Sequence, residues 1–386
     1  MLLLINQVYS ACIGFDILVV ILGLWLSWRA PANGRAHALS VLRMTAIFIV
    51  LDLFLLQGLT WLKQSYGPVE FPFLALMGTR LGIFFLWIFS WRFKLKSNHT
   101  FQAEKALHQG RWACLGLNVL VLLLALYAFY VEPFMLTTSQ MQVETNKFPA
   151  GSHLRIVQIS DLHVERLTRR EYAVIRQVNS LKPDVIVVTG DYPNLSFIND
   201  VTTWDQITYV ISQLKARYGV FLINGSNESP TKVRELAKNT GAVALTDTIY
   251  PLDWEGGRLY MMGVNDIHSH DGPPVANFTA LDREIPAGAY TLMLYHTPDL
   301  IKSAAPAGVD LYLCGHTHGG QIRLPFYGAV FTSSIYNKEF EMGLYRVGPT
   351  TLYVNRGLGM EGMIAPRARF LAPPEIAIFD LVGIGN

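Results

Sequence analysis

Hydrophobic residues follow two different patterns along this chain. In the amino-terminal third they form four long, nearly uninterrupted runs, at residues 8–28, 42–62, 71–91 and 112–131. Each run is close to the ~20 residues that an α-helix needs to cross a bilayer. Four such runs are too many for a cleavable signal peptide, so they predict four transmembrane helices within a membrane region at residues 1–135.

Basic residues are distributed unevenly between the connections that join these runs. The second connection has only Lys63, opposed by Glu70, whereas the first and third are rich in lysine and arginine. Because positively charged loops stay in the cytoplasm, this bias places everything after residue 131 outside the cytoplasm. The basic residues of the first and third connections are Arg29, Arg35, Arg43, Arg92, Lys94, Lys96, Lys105 and Arg111.

Three ionisable residues, Asp16, Asp52 and Arg80, fall near the middle of the predicted membrane helices. A charged side chain at this depth costs a few kcal/mol unless it is paired or hydrated. The residues could line a pathway for an ion or a lipid headgroup, or Arg80 could join helices by neutralising one or both aspartates. No further polar residues extend a path, which favours the interhelical contact.

From residue 153 onward the hydrophobic runs become short and rich in β-branched residues, as in buried strands. Amphipathic segments at 168–182 and 203–217 separate the first three strands, which predicts a parallel sheet covered by helices. Three strands that follow residue 340 without helices suggest an antiparallel portion. The predicted strands are LRIVQIS (154–160), DVIVVTG (184–190), GVFLIN (219–224), YTLMLYH (290–296) and VDLYLCG (309–315), then GLYRV, TLYVN and EIAIFDL.

Composition agrees with a chain of two parts, because 51% hydrophobic and 16% charged residues are unusual for an entirely soluble protein. Residues 136–152, polar and without periodicity, are predicted to link the membrane region to one domain at 153–386. The net charge is only +2, and no stretch interleaves basic with aromatic residues, so a nucleic-acid-binding protein is excluded. The cysteines, Cys12, Cys114 and Cys314, are scattered, and no disulfide framework is expected.

Polar side chains follow one predicted strand after another. In an open α/β sheet, ligands bind beyond the carboxyl ends of the strands. Two aspartates, four histidines and an asparagine or serine at such positions form a ligand set for two metal ions. Adjacent glycines (Gly190, Gly225, Gly315, Gly319) let the backbone turn sharply beside them. The polar residues are Asp161, His163, Asp191, Asn224, Ser226, Asn227, Glu228, His296, His316 and His318.

The segment GHTHGG carries two of these histidines one residue apart. Side chains two positions apart on an extended segment project to the same side. His316 and His318 are therefore predicted to hold different ions of a pair about 3.5–4 Å apart. Two histidines one residue apart are by themselves a weak indication of a metal site. In combination with SDLH and TGDY, in this order along the chain, they are a strong one.

The motifs SDLH, TGDY, GSNE, YHTPD and GHTHGGQ resemble those of the calcineurin-like metallophosphoesterases, and the extended tail is similar to the membrane-anchored or exported bacterial branch. The resemblance covers about residues 153–382. It implies an α/β fold, specifically a four-layer α/β/β/α sandwich of two mixed sheets, and hydrolysis of phosphomonoesters, phosphodiesters or pyrophosphates. It implies two divalent ions, and Mn²⁺, Fe or Zn suit such ligands better than Ca²⁺ or Mg²⁺ alone.

The resemblance also implies which residue holds which ion. In that pattern the first ion is held by Asp161, His163, Asp191 and His318, and the second by Asp191, His296, His316 and the amide of the third motif.

The third motif departs from the family pattern. Ser226 stands where the ligand asparagine is expected, and Asn227 stands where an assisting histidine is expected. Either Asn227 reaches the second ion after a one-residue shift, or Ser226 or a water replaces it. Both versions weaken the second site, and the missing histidine predicts slower turnover. Catalytic roles are assigned to Asp191, Asn227 and His296, with Asn227 also as a metal ligand.

These observations predict a multi-pass protein of the bacterial cell membrane with its catalytic domain on the extracytoplasmic side. It would hydrolyse a phosphoester or pyrophosphate, with a lipid-linked envelope substrate favoured by location, through a metal-bridged hydroxide. The alternative is a catalytically weak metal- and phosphate-binding sensor coupled to the membrane helices, which the altered third motif favours. Metal identity and oligomeric state are left open.

Two further pairs of residues have alternative interpretations. Arg323 and Arg356 are predicted to bind a substrate phosphate or carboxylate, or alternatively to form surface salt bridges. His268 and His270 lie in a segment rich in glycine and proline, which favours an ordinary exposed loop over one that overhangs the site.

Overall fold

The computed structural model describes residues 32–95, 100–266, 272–362 and 366–385, with isolated positions between residues 13 and 25. The described chain forms two compact units, one ending at Phe129 and the other beginning at Tyr130.

Long apolar helices make up the first unit. They are α1 (Ala32–Trp61), α2 (Glu70–Leu95) and α3 (Thr100–Leu126). By length and composition, three segments of the described chain could cross a membrane, Arg35–Trp61, Glu70–Trp91 and Leu107–Phe134. They coincide with the second, third and fourth predicted runs. The first predicted membrane helix, at 8–28, lies mostly outside the described residues, and so does Cys12.

A buried ion pair joins α1 to α2. The Arg80 and Asp52 side chains are fully buried, and two guanidinium nitrogens of Arg80 donate to the two carboxylate oxygens of Asp52 at 2.9 and 2.8 Å. The third guanidinium nitrogen donates to the backbone and side-chain oxygens of Asn118 on α3. The predicted interhelical contact is therefore confirmed for Arg80 and Asp52, and it satisfies charges that would be costly in an apolar bundle.

Two mixed six-stranded sheets form the second unit within the described residues. The first sheet contains β1 (Thr137–Pro149), β2 (His153–Ile159), β3 (Val185–Val188), β4 (Val220–Leu222), β5 (Val243–Ala244) and β14 (Glu375–Gly385), in the order β1-β14-β2-β3-β4-β5. Strands β2 to β5 run parallel, while β14 runs antiparallel to β2 and parallel to β1.

The second sheet has four parallel central strands between two antiparallel edges. It contains β6 (Thr248–Trp254), β7 (Gly257–Gly263), β8 (Tyr290–Leu294), β9 (Leu311–Cys314), β12 (Gly343–Val347) and β13 (Thr350–Val354), in the order β12-β13-β9-β8-β7-β6. A separate hairpin joins β10 (Arg323–Leu324) to β11 (Gly328–Ala329). The helices of this unit are α4 (Arg169–Ser180), α5 (Val201–Ser212), α6 (Pro230–Thr240), α7 (Val275–Asp282) and α8 (Ile301–Ala307).

Hydrophobic side chains form three clusters in this unit. One cluster joins residues of both sheets, such as Ile156 and Phe221 of the first with Leu292 and Leu311 of the second. A second cluster joins the first sheet to α4, α5 and α6, and a third joins the second sheet to α7 and α8. Each sheet thus buries both faces, which is why its parallel strands are continuous hydrophobic runs rather than alternating ones.

The structure corrects the prediction of a linker at 136–152, because this segment contains strand β1. This strand pairs with β14 from Thr137–Glu375 to Thr145–Gly383. It lies at the edge of the sheet, and exposed positions alternate with less exposed ones along much of it. The strand was not predicted because its residues are largely polar. Polar residues are compatible with an edge strand, which can leave one face to solvent.

The predicted strands of the parallel portions are confirmed as β2, β3, β4, β8 and β9, and the two predicted helices as α4 and α5. The late strands are present as β12, β13 and β14, but only part of this portion is antiparallel, because β13 pairs with β9 in parallel. The β6–β7 hairpin was not predicted. Cys114 and Cys314 are free and buried, as expected without a disulfide framework.

Candidate metal centre

Six polar residues predicted from the strand ends meet in one place. Two follow β2, one follows β3, one follows β8 and two follow β9, so both sheets contribute. They fall into two groups whose potential ligand atoms lie within 4.8 Å of one another. Five of the six are buried and His316 is half-buried. The first group is Asp161, His163 and His318, and the second is Asp191, His296 and His316.

The first group has the spacing of an ion site. The Nε2 atoms of His163 and His318 are 3.0 Å apart, and Oδ1 of Asp161 is 3.5 Å from Nε2 of His318. Two nitrogens that each lie about 2.1 Å from one ion are roughly 3 Å apart. The three donors therefore converge as ligands of one metal would.

The second group repeats this arrangement beside the first. Nδ1 of His316 is 3.1 Å from Nε2 of His296, and Oδ2 of Asp191 is 3.3 Å from the same Nε2. Oδ2 of Asp191 is also 3.7 Å from Nε2 of His163, a member of the first group. This carboxylate thus lies within reach of both groups, which is the position that a bridging ligand requires.

Two of the histidine rings are oriented by hydrogen bonds of their other ring nitrogen, Nδ1. Nδ1 of His296 donates to the carbonyl oxygen of Thr189 at 2.7 Å, and Nδ1 of His163 lies 2.7 Å from Oε2 of Glu361. A proton held on Nδ1 leaves the lone pair of Nε2 free for a metal. Sequence reasoning missed Glu361, because it follows no predicted strand and its only signal was the GMEGM segment within the tail of the family resemblance.

Electrostatics favour the metal-binding protonation state at two of the six residues, Asp191 and His318. Burial would raise the pKa of Asp191, but the positive charge that His296 can carry holds it below the usual value, so this carboxylate is ionised. Burial and the nearby His163 lower the pKa of His318, which keeps its ring neutral. An ionised carboxylate and a neutral imidazole are the forms that ligate divalent ions.

The side chains of the third motif point away from the second group. The Ser226 hydroxyl donates to Asp266, and the side-chain nitrogen of Asn227 donates to Oε2 of Glu361 at 2.9 Å and lies 3.4 Å from Nδ1 of His163. Asn227 therefore contacts the first group. The geometry does not support either residue as the second ion's ligand, and the metal-binding and catalytic roles of Asn227 stay predictions.

Glu228 ties the loops of the second and third motifs together. Its carboxylate accepts backbone N–H donors of Asp191 at 2.9 Å, Tyr192 at 3.1 Å and Gly225. Burial, with repulsion from Asp191, raises the pKa of Glu228 to about 8. This residue therefore holds the backbone of Asp191 in place.

Five of the six residues adopt a backbone conformation that side-chain-bearing residues rarely use. Their φ values lie between 41° and 69°. Such strain persists only where surrounding structure enforces it, and it clusters at functional sites. The strained residues are Asp161, His163, Asp191, His316 and His318.

Two glycines allow the close approach of the strand ends. A Cβ atom at Gly315 would overlap the side chains of Ser160 and Asp161, and one at Gly225 would overlap Asp191. Any larger residue would therefore displace a ligand carboxylate. This explains why glycine adjoins the polar residues in the motifs.

The predicted substrate arginines are both paired with carboxylates. Nη1 of Arg323 is 2.8 Å from Glu341, and Nη2 of Arg356 is 3.0 Å from Glu375. Both arginines thus form salt bridges, as in the alternative interpretation, but the pairs are largely buried rather than at the surface. Substrate binding by either arginine stays a prediction. His268 and His270 lie outside the described residues.

Comparison with known proteins supports the interpretation of these residues as a metal site. Residues 154–320 match the family model of the calcineurin-like phosphoesterases. The chain is 33% identical over 270 residues to the metallophosphoesterase YkuE of Bacillus subtilis, an alignment that covers 66% of this chain and 88% of YkuE. The chain belongs to this family. It is therefore a metallophosphoesterase, a hydrolase of phosphate esters.

Two other relatives align over similar lengths of this metallophosphoesterase. The UDP-2,3-diacylglucosamine pyrophosphatase LpxG of Chlamydia trachomatis is 28% identical over 312 residues, which covers 65% of this chain and 91% of LpxG. The phosphodiesterase YaeI of Escherichia coli is 25% identical over 268 residues, covering 66% of this chain and 92% of YaeI.

Proposed function

We propose that this chain is a membrane-anchored, two-metal phosphoesterase that cleaves a phosphate ester or pyrophosphate bond of a lipid-linked envelope substrate. The observation that carries the two-metal assignment is the position of Asp191, whose Oδ2 lies 3.7 Å from His163 in one group and 3.3 Å from His296 in the other. The three hydrophobic clusters described above support the four-layer arrangement.

The chain's own residues would position the reaction. Divalent ions held by the two groups supply Lewis acidity and a water-derived nucleophile at neutral pH. Asp191 would contribute to both ion positions, and the buried donors exclude bulk water from most of the site. His296, oriented by the Thr189 carbonyl, presents Nε2 toward the second position. Such preorganised charge is usually the largest contribution to rate.

Two observations support a lipid-linked substrate. The relative LpxG is named for a pyrophosphatase activity on UDP-2,3-diacylglucosamine, which carries two acyl chains. The described chain also has three helices long and apolar enough to cross a membrane, the last ending at Phe134, directly before the first strand of the catalytic domain. An enzyme held at the bilayer surface meets acylated substrates without extracting them into water.

Hydrolysis of two substrates tests this proposal. The full chain, purified in detergent and loaded with Mn²⁺, Fe²⁺ or Zn²⁺, is expected to cleave both an aryl phosphodiester and UDP-2,3-diacylglucosamine, and to lose both activities with a chelator. Cleavage of the aryl ester alone would retain the enzyme and reject the lipid-linked substrate. Bound metal without any turnover would support the sensor, which the altered third motif favours.

We infer an extracytoplasmic catalytic domain from charge. The connection between α1 and α2 has Lys63 and Glu70, whereas the connections on the opposite side carry many basic residues. Alkaline phosphatase fused after residue 135 is expected to be active and green fluorescent protein at the same point dark. The reverse result would place the domain in the cytoplasm.

A further inference from the structure

A hollow that is separate from the metal centre lies where the last apolar helix ends. Its volume is about 380 Å³, and all the residues around it belong to the second compact unit. One wall comes from the end of the candidate span Leu107–Phe134 and the residues just after it, and the other comes from helix α4. The lining residues are Tyr130, Val131, Phe134, Leu136, Arg169, Arg170, Ala173 and Arg176.

The α4 wall is strongly basic. Arg169, Ala173 and Arg176 are spaced i, i+4 and i+7, which places them along one face of the helix. The small Ala173 side chain leaves room between the two arginines. Arg169 and Arg170 also occupy the first helical turn, where the helix dipole is positive and an anion is stabilised.

These positive charges are incompletely neutralised. Arg169 stacks 4.1 Å over the Phe134 ring and donates to the Tyr130 carbonyl oxygen at 3.4 Å, which are both uncharged partners. Arg170 is only 6% exposed and pairs with Glu171, yet its Nη1 atom is buried without a hydrogen-bond partner. In the part of the chain that the structure describes, Arg176 forms no ion pair. In the described chain no carboxylate neutralises Arg169 or Arg176, so their positive charge beside the hollow is available to an anion.

The opposite wall is apolar and is formed by the end of the candidate membrane span and the residues just after it, where lipid headgroups would lie if the helix crosses a bilayer. This wall contains the apolar side chains of Val131, Phe134 and Leu136. It also contains Tyr130, and tyrosine is enriched at membrane interfaces. Free phosphate would leave this wall uncovered. A phospholipid covers both walls, because its phosphate can face the arginines while its glycerol and first methylenes contact the apolar side.

We propose that this hollow binds the phosphate headgroup of an anionic phospholipid in the adjoining leaflet. The site rests on the membrane anchoring proposed above but on no catalytic step. A bound headgroup there would hold α4, which directly follows the first two metal-binding motif residues, at a set height above the bilayer. Basic pockets between membrane helices bind anionic headgroups through the same attraction of charge.

Lipid binding to the full chain tests the site directly. The protein in a nonionic detergent is titrated with dioctanoyl phosphatidylglycerol, and native mass spectrometry measures retained lipid. We expect tighter binding than for dioctanoyl phosphatidylcholine. The double variant Arg169→Gln/Arg176→Gln should weaken phosphatidylglycerol binding about tenfold or more. Ala173→Leu should weaken it by filling the hollow, without any change of charge.

The matched control is Arg283→Gln/Arg346→Gln, which removes two exposed arginines elsewhere on the same unit and should bind like the unaltered protein. Unchanged binding in both hollow variants, or equal affinity for the two lipids, would overturn the proposal. Displacement of the lipid by inorganic phosphate at equal concentration would also overturn it, by assigning the hollow to free phosphate. Hydrolysis measured on the same samples separates failure of this site from failure of the proposed enzyme.

Discussion

Asp191→Asn is expected to lower kcat/KM for phosphodiester hydrolysis by roughly a thousandfold or more and to reduce bound metal from two ions to one or none. The carboxylate oxygen of Asp191 lies within 4 Å of a histidine in each ligand group. A neutral amide presents one oxygen and no charge, so it cannot hold both ions. Metal ions contribute several kcal/mol to charge stabilisation, and about 1.4 kcal/mol corresponds to a tenfold rate.

Metal content and steady-state kinetics check this result together. The matched control is Asp380→Asn, because Asp380 is also a largely buried carboxylate but pairs with Arg155 at 2.8 Å, outside the two ligand groups. The control should keep two ions and its activity, apart from some loss of thermal stability. Two ions and near-normal turnover in Asp191→Asn would refute the bridging role.

Glu361→Gln is expected to weaken metal binding at the first group about 10- to 100-fold, in the range measured for residues that orient a metal-bound histidine. Burial would raise the pKa of Glu361, but the adjoining His163, 2.7 Å away, lowers it, so the carboxylate is ionised. A glutamine retains the shape but loses the charge that polarises the ring. Glu361 is thus a positioning residue that acts through His163.

Activity measured against metal concentration distinguishes positioning from a structural role. Glu361→Gln should need more Mn²⁺ for half-maximal activity, with kcat largely recovered at saturation. Glu132→Gln is the control, since Glu132 is a buried carboxylate that accepts the backbone N–H groups of Leu371 and Ala372. It should lower Tm without moving the metal requirement. An equal shift of the metal requirement in both variants would show that Glu361 acts only through stability.

The sequence was most informative where the local hydrophobic pattern and the strand topology predict the same structure. Parallel strands that bury both faces are continuous apolar runs, so β2, β3, β8 and β9 were recognisable without the structure. Because Asp161 and Asp191 follow neighbouring parallel strands of one sheet, their proximity followed from topology. His296 follows a strand of the second sheet, so its position beside them depends on how the two sheets pack. The apolar helices were equally clear, since bilayer thickness sets their length.

Local pattern failed where pairing with distant residues decides the structure. Strand β1 is polar along its exposed face, and it exists because β14, more than two hundred residues later, offers an edge to pair with. The third motif could not be resolved from its alignment, because a one-residue shift changes which side chain faces the metals. In the structure Asn227 turns toward Glu361 and His163.

By itself, therefore, the sequence determined the two-part organisation, the main parallel strands and the six candidate metal ligands, because hydrophobic period and strand-end position are local properties. Only the tertiary structure decided that Asp191 lies between the two ligand groups, that Glu361 orients His163, and that arginines of α4 face an apolar wall. These facts depend on distances of a few ångströms between segments far apart in the chain. No local pattern records such distances, since the packing of two sheets and their loops sets them.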